Sequence, residues 1–172
     1  MDNSIRKIQQ LNEAELRKHR CCFTGHRPEK LMASESVIKA ALAGEIDLAI
    51  RDGFTTFISG VARGVDLWAA ELVLDRRAGN PAIKLICASP YKGFERRWSA
   101  EWQSLYTSVM ARADLIRFIG SGHTRSIYQT RNEWMVDRSA RVIAVFNGES
   151  GGTMNTIQYA QKTGIQVRLL GE

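Results

Sequence analysis

From Arg20 onward, short apolar runs alternate with longer segments whose apolar positions recur at helical spacing. The runs at 20–24, 55–59, 83–88, 115–119, 141–146 and 165–170 predict six strands. Most are apolar on both faces, as befits strands of a parallel sheet covered by helices. Val37, Ile38, Leu42, Ile46 and Ala49 predict a helix that ends near Asp52 and Gly53. Val65, Trp68, Ala69, Leu72 and Val73 predict a second, stopped by Gly79 with Pro81 close behind. Three more helices are expected at 94–112, 126–140 and 153–163. This alternation predicts an α/β fold, an open and mostly parallel sheet with right-handed crossovers, and leaves the strand order open. Ile5, Ile8 and Leu11 give residues 1–19 the pattern of an N-terminal helix or arm.

Composition narrows the class. With 172 residues the chain has the length of one domain, and neither an internal repeat nor a linker divides 20–172. A domain of this size buries about 70% of its unfolded surface and needs no covalent or metal staple. At 44% hydrophobic and 24% charged residues, collagen-like, low-complexity and disordered classes are excluded. No apolar run reaches the roughly 18 residues that span a bilayer, and the polar start is no signal peptide. The expectation is a cytoplasmic chain with no membrane partner. Cys21 and Cys22 are adjacent and Cys87 is distant, all in apolar surroundings, which predicts buried reduced thiols. No Cys/His spacing suits zinc, so no metal site is expected. The net charge of +6 rests on 24 cations of which 17 are Arg. The guanidinium fork matches phosphate geometry, so an anionic partner fits this surface.

Ligands of such sheets bind beyond the carboxyl ends of the strands, and three predicted strands run into unusual turns. After the first comes Thr24-Gly25-His26-Arg27-Pro28, with a titratable ring and a guanidinium at the sheet edge. After the second comes Ser59-Gly60-Val61-Ala62-Arg63-Gly64-Val65-Asp66, whose glycines free backbone amides to face an anion while Arg63 closes over a phosphate and Asp66 accepts from a sugar or base. After the fifth, Ser150, Gly151, Gly152 and Thr153 feed a helix N-terminus, with its unpaired amides and partial positive charge. Tyr128, Arg131 and Asn132 share part of one helix face and could form an opposite wall, Tyr128 stacking on a base. Trp98, Trp102 and Tyr106 repeat every four residues as a packing stripe. Neither glycine turn has the spacing of a P-loop or of G-x-G-x-x-G, and the Walker lysine is absent, which argues against a conventional NTPase.

Three segments in this order, Cys22-Phe23-Thr24-Gly25-His26-Arg27-Pro28, Ser59 to Asp66, and Ser150-Gly151-Gly152-Thr153 with Asn155, resemble the SLOG superfamily, most closely its small bacterial YpsA/YoqJ-type branch. The resemblance runs from about Arg20 to the C-terminus. It implies a Rossmann-like three-layer α/β/α fold that binds a nucleotide or nucleotide-derived ligand such as ADP-ribose or an NAD-like molecule, as a sensor or regulator. Its wider relatives include LOG phosphoribohydrolases, which cleave a nucleotide's N-glycosidic bond, DNA-processing protein A, which handles single-stranded DNA, and molybdenum-cofactor carriers. Laid on the LOG pattern P-G-G-x-G-T-x-x-E through Gly151 and Gly152, this chain has Ser150 at the proline, Met154 at the third glycine, Asn155 at the threonine and Gln158 at the glutamate. A neutral amide cannot do acid/base work, so hydrolysis would need another group, with His26, Asp66, Glu133 and Asp137 as the candidates.

The leading reading is thus a nucleotide-derived small molecule held by Gly25, His26, Arg27, Ser59, Gly60, Arg63, Gly64, Asp66, Tyr128, Asn132, Gly151, Gly152, Thr153 and Asn155, with no further cofactor identified. A nucleosidase-type enzyme and a single-stranded DNA-binding module are the alternatives. Self-association stays open.

Overall fold

The structure, a computed structural model, describes residues 12–171. Of the N-terminal element, 12–17 are helical, and Ile5, Ile8 and Leu11 lie outside the described residues. The six strands are β1 (Arg20–Gly25), β2 (Thr56–Ser59), β3 (Lys84–Ser89), β4 (Leu115–Phe118), β5 (Arg141–Val145) and β6 (Gln166–Leu170). They form one sheet in the order β4-β3-β2-β1-β5-β6, parallel at every pairing. The helices are α1 (Glu35–Arg51), α2 (Val65–Gly79), α3 (Ala100–Arg112), α4 (Ile127–Asp137) and α5 (Gly152–Lys162), with a short 3-10 turn at Pro28–Lys30. This is a Rossmann-like α/β fold, as the alternation and the resemblance predict.

Alternation along the strands assigns each helix to a layer. Cys21, Phe23, Phe57, Leu85, Cys87 and Ile143 face a core closed by Ile38, Leu42 and Ile46 of α1, Val65, Trp68 and Val73 of α2, and Tyr106 and Val109 of α3. Cys22, Ile58, Ile86, Val142 and Ala144 face the other way, onto Met135 and Val136 of α4 and Ile157 and Ala160 of α5. The adjacent cysteines therefore point into different cores, and all three thiols are free and buried.

Local chemistry sets the helix ends. Ser34 accepts from Val37 N to cap α1, which stops at Arg51 before Gly53 turns with φ of 95°. Val37 itself lies outside the buried stripe, 59% exposed. The helix expected from 94 starts only at Ala100, because Ser99 is extended, with ψ of 156°, and 91–97 fold back as turns. The largest departure is β4. Expected to be covered on both faces, it is exposed at all four residues, because it is the sheet's edge and pairs with β3 alone.

The strand order also fixes where a site can form. Connections leave β1 toward β2 on one side, while β5 lies on its other side, so the topological switch falls between them. Gly25 stands opposite Val145 in that pairing.

Candidate functional site

The turns after β1, β2 and β5 meet at the switch. Gly25 allows the first contact, since a Cβ there would lie 2.5 Å from Cβ and Cγ2 of Val65. Gly64, at φ of 90°, abuts Pro28, whose Cδ would stand 2.9 Å from an added Cβ. These glycines dock the β1 turn onto the start of α2. Ser59, fully buried, ties its own turn together: its hydroxyl donates to Asp66 O at 2.7 Å and accepts from Val61 N at 3.1 Å. Val61 is thereby held at φ of 50°, a left-handed conformation that a β-branched residue rarely adopts.

Above these turns opens a cleft of about 370 Å³. Its floor is Thr24, Gly25 and Asp66, one wall is Tyr128, Arg131 and Asn132 of α4, and another is Gly151, Gly152 and Thr153 at the start of α5. His26 and Arg27 enter from the β1 turn, with Glu29, Lys30, Ala62 and Phe94 completing the lining. His26 is buried and stacks on Phe146 at 5.7 Å between ring centres. No side chain caps α5, whose N-cap Gly151 has φ of 141°, so its first amides and the positive end of its dipole face the cleft.

A buried pair of opposite charges lies beneath. Burial pushes the Asp66 carboxyl up to about 6, opposed by the Arg131 charge and by the Ala62 N–H that reaches Oδ2 at 3.4 Å. Burial likewise lowers the pKa of Arg131, with Asp66 pulling the other way. Arg131 donates through Nη1 to Gly60 O and through Nε to Asn132 Oδ1, the latter at 2.8 Å. Those bonds hold both α4 residues in place.

Nine of the fourteen residues singled out by sequence line this cleft: Gly25, His26, Arg27, Asp66, Tyr128, Asn132, Gly151, Gly152 and Thr153. Ser59, Gly60 and Gly64 lie outside the lining as packing elements of the turns, Asn155 is exposed on α5, and Arg63 stands in an adjoining groove, 3.0 Å from Glu29. Asp137 lies at the far end of α4 bonded by Tyr159 at 2.7 Å, and Glu133 accepts from Gln129, so neither replaces the LOG glutamate in the cleft. Gln158 is exposed and does not line it either. Arg131 lines the wall where the sequence places it, though it is absent from the ligand set named above, and Phe94 is a lining residue that the sequence reading misses. The available signal for Arg131 was its spacing from Tyr128 on one helix face.

An open parallel sheet with a polar, partly cationic cleft at its switch point defines a Rossmann-like domain with a candidate ligand site. The sequence model of the YspA SLOG family matches residues 21–168, and the chain belongs to that family. It is 33% identical over 129 residues to the uncharacterized SPbeta prophage-derived protein YoqJ of Bacillus subtilis, a match covering 68% of this chain and 75% of that one. It is 25% identical to a UPF0398 protein of Bacillus pumilus, over 76% of this chain and 74% of the relative. Among solved structures, DNA processing protein A from Helicobacter pylori superposes with a TM-score of 0.64 at 16% identity, over 94% of this chain and 68% of that one. The Streptococcus pneumoniae protein of the same name gives 0.62 at 17% identity, over 90% of this chain and half the length of that one. At such identities the likeness is one of fold. No helix among the described residues is long and apolar enough to cross a membrane.

Proposed function

We propose that this chain binds a nucleotide-derived ligand, of the class of ADP-ribose or NAD, in the cleft at the carboxyl ends of β1 and β5, and works as a sensor or regulator. The observation that carries the reading is the convergence of an uncapped helix N-terminus at Gly151–Thr153, the guanidinium groups of Arg27 and Arg131, and the rings of Tyr128 and Phe94 around one cavity. Backbone amides and guanidinium groups answer a phosphate; rings answer a base. The cavity lies within the roughly 300–1,000 Å³ span of small-molecule sites. Its lining holds two carboxylates, Asp66 and Glu29, and Glu29 is engaged by Arg63.

The test is calorimetric titration with AMP, ADP-ribose and NAD, with product analysis of the same mixtures. Saturable binding that Arg27→Ala weakens by about tenfold, as loss of one charge-assisted contact of about 1.5 kcal/mol implies, is the expected result. No heat and no thermal stabilisation at millimolar ligand would overturn the proposal, and release of free base would convert it to the enzymatic alternative with Asp66 as the acid. A second reading, single-stranded DNA, is supported by the +6 charge and by the H. pylori relative, whose structure is described as a single-stranded DNA binding mode. It requires affinity that falls steeply with salt.

A further inference from the structure

Beside the cleft lies a second, larger groove of about 590 Å³. The two share Arg27, Ala62, Phe94 and Tyr128, which form the ridge between them. The far side of the groove is built by the 91–98 turns, the segment that displaces the start of α3. Its chemistry is of two kinds. Arg27, Arg63, Arg96 and Arg97 line it, and among the described residues no carboxylate joins the lining and only Arg63 of the four makes an ion pair, with Glu29 on the cleft side. Arg96 is placed by Gly93: at φ of 84°, that glycine leaves room for Nε, which would sit 2.7 Å from an added Cβ.

The second kind is aromatic. Tyr91, Phe94, Trp98, His123 and Tyr128 form a continuous ring cluster, with Phe94 and Trp98 at 4.8 Å, His123 and Tyr128 at 5.8 Å, and Tyr91 and Tyr128 joined through their hydroxyls at 3.3 Å. Trp98 also meets Tyr106 edge-on at 5.7 Å, so the outer rings are braced from the core. Rings pinned by their neighbours lose little conformational freedom when a planar base is laid on them, and arginines around the rings neutralise the phosphate that carries it.

From this we infer that the groove receives a second nucleoside unit of the ligand held in the cleft, so that the ligand is a dinucleotide whose bridging phosphates cross the ridge near Arg27. The inference rests on the reading of the cleft as a nucleotide site. Charge decides the position of the bridge, because Arg27 is the one cation among the described residues that lines both cavities. The rings decide the character of the second unit, because a phosphate alone has no use for them.

The experiment titrates the full chain with ADP, NAD, dA2 and dA10, and repeats the series on the Arg96→Ala/Arg97→Ala variant, whose altered residues are both exposed. NAD carries less charge than ADP and one more base. The expected result is that a two-base ligand binds about tenfold more tightly than ADP, the scale of stacking one base on a ring, and that the ratio falls to about one in the double variant. Trp98 and its neighbours should report the same event through a fluorescence change given by two-base ligands and not by ADP. Equal affinity of ADP, NAD and dA2 overturns the inference while leaving the cleft reading intact. A further tenfold gain from dA2 to dA10 overturns it in favour of a polymeric strand. Absence of binding by every probe removes the cleft reading and this one together.

Discussion

Asp66 and Arg131 face each other across Gly60: a Cβ added to that glycine would lie 2.7 Å from Oδ2 of the one and 2.6 Å from Nη1 of the other. The turn after β2 is thus shaped around two buried ionised groups from helices on opposite sides of the sheet.

Gly60→Ala should therefore be destabilising. The added methyl meets side chains that have nowhere to go, and overpacking of this kind costs about 1–3 kcal/mol. Gly25→Ala should cost as much through its clash with Val65. Gly44→Ala, on the exposed side of α1 with nothing within 4 Å of the new methyl, should instead stabilise by about 0.5–1 kcal/mol. Urea denaturation of the three variants separates the cases by sign.

The raised pKa of Asp66 predicts a pH dependence. A carboxyl titrating near 6 in the fold and at about 3.9 in the unfolded chain keeps its proton longer when folded, so the folded state binds more protons between those values. This contribution to stability is present below about pH 4 and is lost as pH rises through 6. Measured against Asp66→Asn, which has no such proton to lose, the native protein should forfeit about 2 kcal/mol between pH 4 and pH 7. A pH-independent difference between the two would contradict the assignment.

Arg131→Met removes the cation that holds the Asp66 pKa down and leaves the carboxylate buried with fewer partners. The carboxyl should titrate higher still, by carbon-detected NMR. Loss of that attraction and of the bonds to Gly60 O and Asn132 should destabilise the variant at pH 8, with part of the loss recovered at pH 5, where Asp66 is neutral.

The three thiols give a kinetic prediction. Burial pushes Cys22 and Cys87 up to about 12 and Cys21 well above the ordinary thiol value, so little thiolate exists at neutral pH and no reagent can reach it. Labelling by an aromatic disulfide should be silent in the native state, and when it occurs should follow the rate of unfolding, with three equivalents taken up in denaturant.

Much of this was legible in the chain because it depends on local pattern. All six strand boundaries follow within one residue, since each short apolar run is closed by a turn or a helix pattern. The meeting of the three turns was legible as well, because parallel strands put their carboxyl ends on one edge. What could not be read is what depends on partners distant in sequence. Arg131 reads as a wall residue from its helix face, but nothing local signals that it is buried beside Asp66, 65 positions earlier. Phe94 was assigned to a helix that does not start until Ala100. Gly25, Gly60 and Gly64 signalled a ligand approach, and the structure fills the space beside each with the protein's own atoms.

The cleft's position at the sheet edge has a mechanical consequence. Its base at Asp66 belongs to the layer that covers Phe23 and Phe57, while the walls at Asn132 and Thr153 belong to the layer that covers Cys22 and Ile58. A molecule seated there would act as a rivet through the rim of the sheet, adding to the ties that Arg131 and Tyr128 already make between the two leaves. Slower amide exchange would then spread into both leaves at once, far from any atom the molecule meets.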